Sequence, residues 1–176
     1  MNDLPSAAWA IRAASDADFM ALQAVERAAF ATLKAAGAVA GQPVASTIGD
    51  LLRYQQAGLL FAAFDNTGTP RGFAGGYIAQ GWLHIAEMDV HPDWQRQGIG
   101  RQLLETLLQA GREKRCYGAT LTTDRLAAFN APFYASLGFM PVSKSVRPGH
   151  LDAILAAEIS GGLDPARRVA MVSRYA

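Results

Sequence analysis

At 176 residues the chain has the size of one domain, and a 51% hydrophobic share against 18% charged residues suffices for a sizeable core and excludes a disordered chain. Sixteen Lys and Arg against fifteen Asp and Glu leave a formal charge of +1, so no broad field steers nucleic acid or anionic membrane, and any anion must be met locally. Apolar runs such as Leu59 to Phe64 are too short to span a bilayer, Met1 to Pro5 lacks the pattern of an export signal, and the single Cys116 excludes an internal disulfide, so we expect a soluble protein of a reducing cytoplasm with neither nucleic-acid nor membrane partners.

The hydrophobic period switches repeatedly between two and 3.6, which predicts a mixed α/β chain. Trp9 to Ala13 reads as a strand. Ser15 with Asp18 resembles a capping box ahead of a helix whose apolar face is Phe19, Leu22, Val25, Ala29 and Phe30. Lys34 to Ser46, rich in Ala and Gly, looks loose. Thr47 and Asp50 cap a second helix through Gln56, which Gly58 stops. Leu59 to Asp65, Arg71 to Gln80 and Trp82 to Val90 follow as a three-stranded antiparallel meander. Ile99, Leu103, Leu104, Leu107 and Leu108 line one face of a helix reaching about Arg115. Then come a strand at Ala119 to Thr123, a helix from Ala127 to Leu137 closed by Gly138, and a strand at Phe139 to Ser143. The tail carries a helix with Leu151, Ile154, Leu155 and Ile159 and a strand at Val169 to Tyr175; the loop Arg147-Pro148-Gly149-His150 is an insertion without a place in this scheme. We therefore expect one domain over 1–176, with a core of about 9–143 and an extension at 144–176. An edge strand in the tail could pair with a second copy as a homodimer.

Chemistry concentrates where a strand leads through Val90-His91-Pro92-Asp93-Trp94-Gln95-Arg96-Gln97-Gly98-Ile99-Gly100-Arg101 into the long helix. The first turn of a helix has unpaired N–H groups and the positive end of its dipole, Gly98 and Gly100 let phosphate oxygens come close, and Arg96 and Arg101 add charge. A nucleotide-hydrolysing P-loop is excluded because Gly100 is followed by Arg101-Gln102 rather than Lys and Ser or Thr. A dinucleotide fingerprint fits poorly, since the third glycine is missing and the preceding strands are antiparallel. Cys116 has no neighbouring His or Asp motif, which argues against covalent catalysis through it.

Gln95 to Gly100 resembles the Gln/Arg-x-x-Gly-x-Gly/Ala pyrophosphate loop of the GNAT superfamily of acyl-CoA-dependent N-acetyltransferases, preceded by Val90-x-Pro92. Asn130-Ala131-Pro132-Phe133-Tyr134-Ala135-Ser136-Leu137-Gly138-Phe139 is similar to a second motif of that family, in the same order along the chain. The resemblance spans about Trp9 to Val142. It implies a mixed, mostly antiparallel sheet flanked by helices on both faces, with acetyl-CoA between two splayed strands, Trp82 to Val90 and Ala119 to Thr123. It further implies cofactor contacts from Met88, Asp89, Val90, Gln95, Arg96, Gln97, Gly98, Ile99, Gly100, Arg101, Asn130 and Phe133, with an N–H of Met88 or Val90 directed at the thioester oxygen. By analogy with the family's variable first two helices, Phe30 and Lys34 to Ser46 are expected to form one wall of the substrate cleft. No metal is expected.

An alkyl amine of pKa near ~10.4 is almost wholly protonated at neutral pH, so acetylating one requires a base. His84 and Glu87 are the candidates; the strand period puts them on opposite faces unless a bulge intervenes. The resemblance favours Glu87 near the substrate, as base or as substrate-binding carboxylate, and makes Tyr134 the general acid for the departing thiolate. The expected activity is acetyl transfer to a small-molecule or peptide amine by direct attack in a ternary complex. The alternative is a non-catalytic acyl-CoA sensor or interaction module.

Overall fold

The computed structural model describes residues 8–35, 37, 44–127 and 130–175. Period-two apolar runs make the strands β1 (Trp9–Ala13), β2 (Leu60–Asp65), β3 (Pro70–Ala79), β4 (Trp82–Val90), β5 (Gly118–Asp124), β6 (Met140–Pro141) and β7 (Arg168–Arg174). They form one sheet in the order β1-β2-β3-β4-β5-β7-β6, antiparallel at every pairing except the parallel β4–β5. The helices are α1 (Phe19–Ala35), α2 (Ile48–Gln56), α3 (Ile99–Glu113), α4 (Ala131–Ala135) and α5 (His150–Ser160). Both expected capping boxes form, Ser15 with Asp18 on a short turn before α1 and Thr47 with Asp50 at α2.

The leucines of α3 pack with Ala74, Leu83, Ile85, Leu121 and Phe139 on one face of the sheet, where α4 also lies. Phe19, Leu22 and Val25 of α1 and Leu51 and Tyr54 of α2 cover Leu60, Ala62 and Phe73 on the other face. There α5 extends the cover over Ala170 and Val172 of β7.

The strands β4 and β5 share only two rungs, Leu83 with Ala119 and His84 with Thr120. Just beyond them β4 takes an extra residue. Gly76 pairs with Ile85 and Gly75 with Glu87, so Ala86 has no partner of its own on β3. Such a bulge bends its strand and sharpens the local twist, here steering β4 away from β5. The glycine pair opposite is required: a Cβ at Gly76 would lie 2.4 Å from the His84 carbonyl oxygen, and one at Gly75 2.5 Å from the Tyr54 ring. The result is a slot open toward the C-terminal ends of both strands.

Three expectations change. The strand in the tail is interior rather than an edge, because β7 holds seven rungs with β5 and a further pairing with β6; the ends of the sheet are β1 and β6. The helix expected from Ala127 begins only at Ala131, because Asp124 Oδ1 takes the N–H groups of Leu126 and Ala127 into a turn and Pro132 sits in the first helical turn; residues 128 and 129 lie outside the described residues. The strand expected at 139–143 shrinks to two residues: the Phe139 N–H closes α4 on the Tyr134 carbonyl, and only Met140 and Pro141 join the sheet.

Candidate active site

Every site residue expected from the sequence except Gln97 lines one cleft of about 760 Å³, within the range of small-ligand sites. Gln97 is exposed, its side-chain amide 3.5 Å from the Asp93 carbonyl.

One wall of the cleft is the start of α3. The first helical bond runs from Gln102 N–H to the Gly98 carbonyl, so the N–H groups of Ile99, Gly100 and Arg101 have no partner within the helix. The turn that aims them needs a left-handed backbone twice, at Arg96 (φ 62°) and Gly98 (φ 86°). A side chain at Gly98 would be strained by that φ although it meets no protein atom within 4 Å. At Gly100 the backbone is ordinary and a Cβ would make normal contacts with Val90, Phe133 and Met88. Gln95 donates its side-chain N–H to the Val90 carbonyl at 3.0 Å, tying the loop to the end of β4. Arg101 donates to Ser136 Oγ at 3.1 Å, joining α3 to the turn after α4. Arg96 is exposed at the rim.

The floor is β4. The His91 N–H bonds the Arg71 carbonyl beside β3, so strand alternation turns the N–H groups of Met88 and Val90 toward the other edge, into the slot. Because both residues of a bulge keep to one side, Glu87 joins His84 on the face of α1 and α2, and the opposition anticipated from simple alternation is lifted. Asp89 follows on the same face, paired with Phe73, so its carboxylate stands away from the α3 loop.

Glu87 and Asp89 meet Glu26 of α1, and an oxygen from each of the three lies within 4.8 Å of the others. Burial, then the charge of Asp89 and of Glu26, pushes Glu87 well above the usual carboxylate range. Burial, then Glu26, pushes Asp89 up to about 7 against the lowering effect of a side-chain hydrogen bond with Glu87, and its Oδ2 is buried without a hydrogen-bond partner among the described residues. Burial likewise raises Glu26, although Ser46 bonds it through backbone and hydroxyl. Crowded together, the three carboxyls hold their protons more tightly than solvated ones, and a carboxylate raised in this way is a stronger base than a solvated one.

His84 is 3% exposed, with Nδ1 3.1 Å from Thr120 Oγ1. Burial, then His150 and Arg53, brings its pKa down to about 3, so the ring is neutral at physiological pH. Opposite, α4 presents Tyr134 between Phe133 and Phe139, with centroids 5.3 and 6.0 Å away. Burial, then the charges of Asp89 and Glu87, raises the tyrosine hydroxyl above its ordinary range, so it keeps its proton. Asn130 precedes α4 and makes no side-chain cap bond, leaving its amide for the cleft it lines. From α1 the wall takes Ala29, Thr32 and Leu33 instead of Phe30, and most of the loose segment lies outside the described residues.

The sequence reading passed over three groups of residues at the site. Glu26 of α1 meets Glu87 and Asp89 without lining the cleft; Arg53 and Tyr54 of α2 and Tyr77 of β3 line it; and so do Thr122 of β5 and, from the tail, Glu158 and Arg168. The one signal available was Gly75-Gly76 inside an apolar strand, a mark of a bulge or close backbone approach.

The chain matches the family described as Acetyltransferase (GNAT) family over residues 21–139. Among solved structures it is similar to the ribosomal-protein-S18-alanine N-acetyltransferase of Escherichia coli, at 21% identity and TM-score 0.66, covering 94% of this chain and 93% of that one. The PaiA N-acetyltransferase of Thermoplasma acidophilum, solved with coenzyme A, gives 18% identity and TM-score 0.68 over 95% and 99%. N-acetylglutamate synthase of Neisseria gonorrhoeae, solved with coenzyme A and N-acetyl-glutamate, gives 19% and 0.71, covering 96% of this chain but 35% of that longer one. At these identities the likeness is one of fold. Among the described residues no helix is long and apolar enough to cross a membrane.

Proposed function

Since the chain belongs to the GNAT acetyltransferase family, we propose that it is an acetyl-CoA-dependent N-acetyltransferase that moves the acetyl group to a primary amine by direct attack in a ternary complex. The observation that carries this reading is the meeting, in one slot, of unpaired helix amides suited to a diphosphate with proton-accepting groups on the opposite side. The structures of similar fold solved with coenzyme A support the same ligand here.

The N–H groups of Ile99, Gly100 and Arg101 hold the diphosphate, with Arg96 and Arg101 supplying charge. Each such contact contributes on the order of 0.3–1 kcal/mol at an exposed site, so the loop works as a set. Met88 and Val90 pair with the pantetheine arm across the edge that β5 leaves open, and one of their N–H groups stabilises the oxyanion as the amine attacks. An oxyanion donor of this kind lowers the barrier by roughly 2.7–4 kcal/mol. The amine sits against Glu87 and Asp89, whose negative charge draws in a cation and whose raised pKa values suit them to take its proton. His84, neutral and facing the same side, is the second acceptor. Tyr134 keeps its proton until the intermediate collapses and then donates it to the thiolate of CoA.

The test is thiol release from acetyl-CoA across a panel of amines, run beside calorimetry with CoA. Amine-dependent release is expected, and Tyr134→Phe lowers turnover while leaving CoA affinity nearly intact. Tight CoA binding without transfer to any amine would instead support the non-catalytic sensor.

A further inference from the structure

Behind His84 lies a hydrogen-bonded chain that acetyl transfer as described above does not use. His84 Nδ1 meets Thr120 Oγ1 at 3.1 Å, and the same oxygen meets His150 Nε2 at 2.9 Å. Thr120 is fully buried at the last rung before β4 and β5 part. His150 is the first residue of α5, in the insertion that the sequence left without a place; its N–H is held by Gln80 Oε1 at 3.2 Å, and its ring lies edge-on to His84 with centroids 5.8 Å apart. His150 Nδ1 is buried and has no hydrogen-bond partner among the described residues. His84 Nε2 likewise has none among the described residues, and His84 lines the cleft.

A threonine hydroxyl has one proton, so when both rings are neutral one ring nitrogen must donate to Oγ1 and the other must accept from it. The two imidazoles are thus tied to a common tautomer. With the chain running outward, both carry their proton on Nδ1, and His84 offers a bare Nε2 to the cleft. We propose that His84, Thr120 and His150 form a proton relay, in which Thr120 and His150 are positioning residues that set the tautomer of His84 and carry the proton of the acceptor amine away from the slot. This rests on the reading of the cleft as an amine-acetylating site.

The protons balance along the chain. The ammonium N–H breaks, its electron pair stays on the amine nitrogen, and a new N–H forms on His84 Nε2. The His84 Nδ1–H passes to Thr120 Oγ1, and the original hydroxyl proton passes to His150 Nε2. Thr120 ends as a neutral hydroxyl and His150 as an imidazolium; nothing is oxidised or reduced. The direction follows from the surroundings. His84 is enclosed by β3 and α2, where Tyr77 packs on its ring and the Arg53 guanidinium stands 4.1 Å from the Tyr77 centroid, opposing a charge on His84. Burial lowers the His150 pKa too, but that ring is half-buried where His84 is fully buried and has no guanidinium among the described residues opposing it, so a charge there is nearer water. Glu158, the acid of α5 that reaches this region, is already engaged by Thr122 at 2.5 Å and by Arg168 at 2.8 Å.

Nitrogen-15 NMR of the ring nitrogens of the intact protein reads the tautomers directly, with His91→Gln identifying the signals of the third histidine. His84 and His150 are both expected to carry the proton on Nδ1; unlike tautomers, or protons on Nε2 in both rings, overturn the relay. In turnover, Thr120→Val and His150→Phe each lower kcat about 10- to 100-fold with the KM for acetyl-CoA unchanged, the double variant is no worse than either single one, and Thr120→Ser restores activity to within a few-fold. Single variants that lose less than twofold, or a serine as poor as the valine, overturn it too. If Thr120→Val shows no cooperative thermal transition, the wild-type tautomers and His150→Phe decide. The tautomers are read on the protein alone, so a wild type that acetylates no amine defeats the acetyl-transfer reading and leaves this test in force.

Discussion

The two strands that part to form the slot each carry an aspartate near their C-terminal ends, and the two have opposite chemistry. Asp124 on β5 is 2% exposed, yet its carboxylate binds the N–H groups of Leu126 and Ala127 and the Arg167 guanidinium at 2.6 Å. Burial alone would raise its pKa, and these partners outweigh it and hold the group below the ordinary value. Asp89 on β4 has no N–H or guanidinium partner on its side chain among the described residues, shares a hydrogen bond only with the carboxyl of Glu87, faces Glu26, and rises to about 7. The same side chain at equivalent ends of two neighbouring strands serves to brace a turn in one place and to stay reactive in the other. Partners, more than depth, decide which.

The largest effect should come from breaking the braced member. Asp124→Ala leaves Arg167 without this carboxylate and two N–H groups without acceptors, and is expected to cost about 2–4 kcal/mol in urea unfolding. Next, Glu87→Gln is expected to lower kcat/KM about 100-fold with little change in the denaturant midpoint, the reverse of the Asp124 result; an unchanged rate would remove Glu87 from proton transfer.

A smaller effect separates the two aspartates by pH. A carboxylate raised from 3.8 to about 7 contributes its stability below pH ~4 and loses it as pH rises through about 7, whereas Asp124, being lowered, contributes above pH ~4 and loses it in acid. Asp89→Asn should therefore flatten the fall in Tm between pH 4 and 8. It should stabilise the chain at the upper end by about 1–2 kcal/mol. Smallest is the glycine pair of the α3 loop. Gly98→Ala should cost about 1 kcal/mol by its positive φ, whereas Gly100→Ala should leave the Tm within error and appear only as weaker CoA binding in calorimetry.

Features that act over a few residues could be read from the sequence: both capping boxes, the leucine face of α3, the three-strand meander, and the glycine loop where a strand meets a helix. Features that depend on distant segments could not. The two carboxylates beside Glu26 are set by a bulge whose cause is a glycine pair on the adjacent strand. Tyr54 and Arg53 reach the cleft from a helix that reads as ordinary surface. Asp124 diverts Leu126 and Ala127 into a turn, so a helical pattern there yields only five helical residues. His150 gains its place from Thr120, thirty residues earlier, and from Gln80, seventy residues earlier.

The strand β7 lies between β5 and β6, so residues 168–174 close a sheet whose other members come earlier in the chain. During synthesis β5 has only its two rungs with β4, and Met140 and Pro141 have no strand to join, until that segment has emerged. Maturation of the slot is thus deferred to the late stage of translation, when nascent β5 presents an open edge that invites wrong pairing. Shortening the chain before Arg168 would make that transient exposure permanent, and insolubility would then be the expected phenotype even though every residue of the glycine loop remains in place.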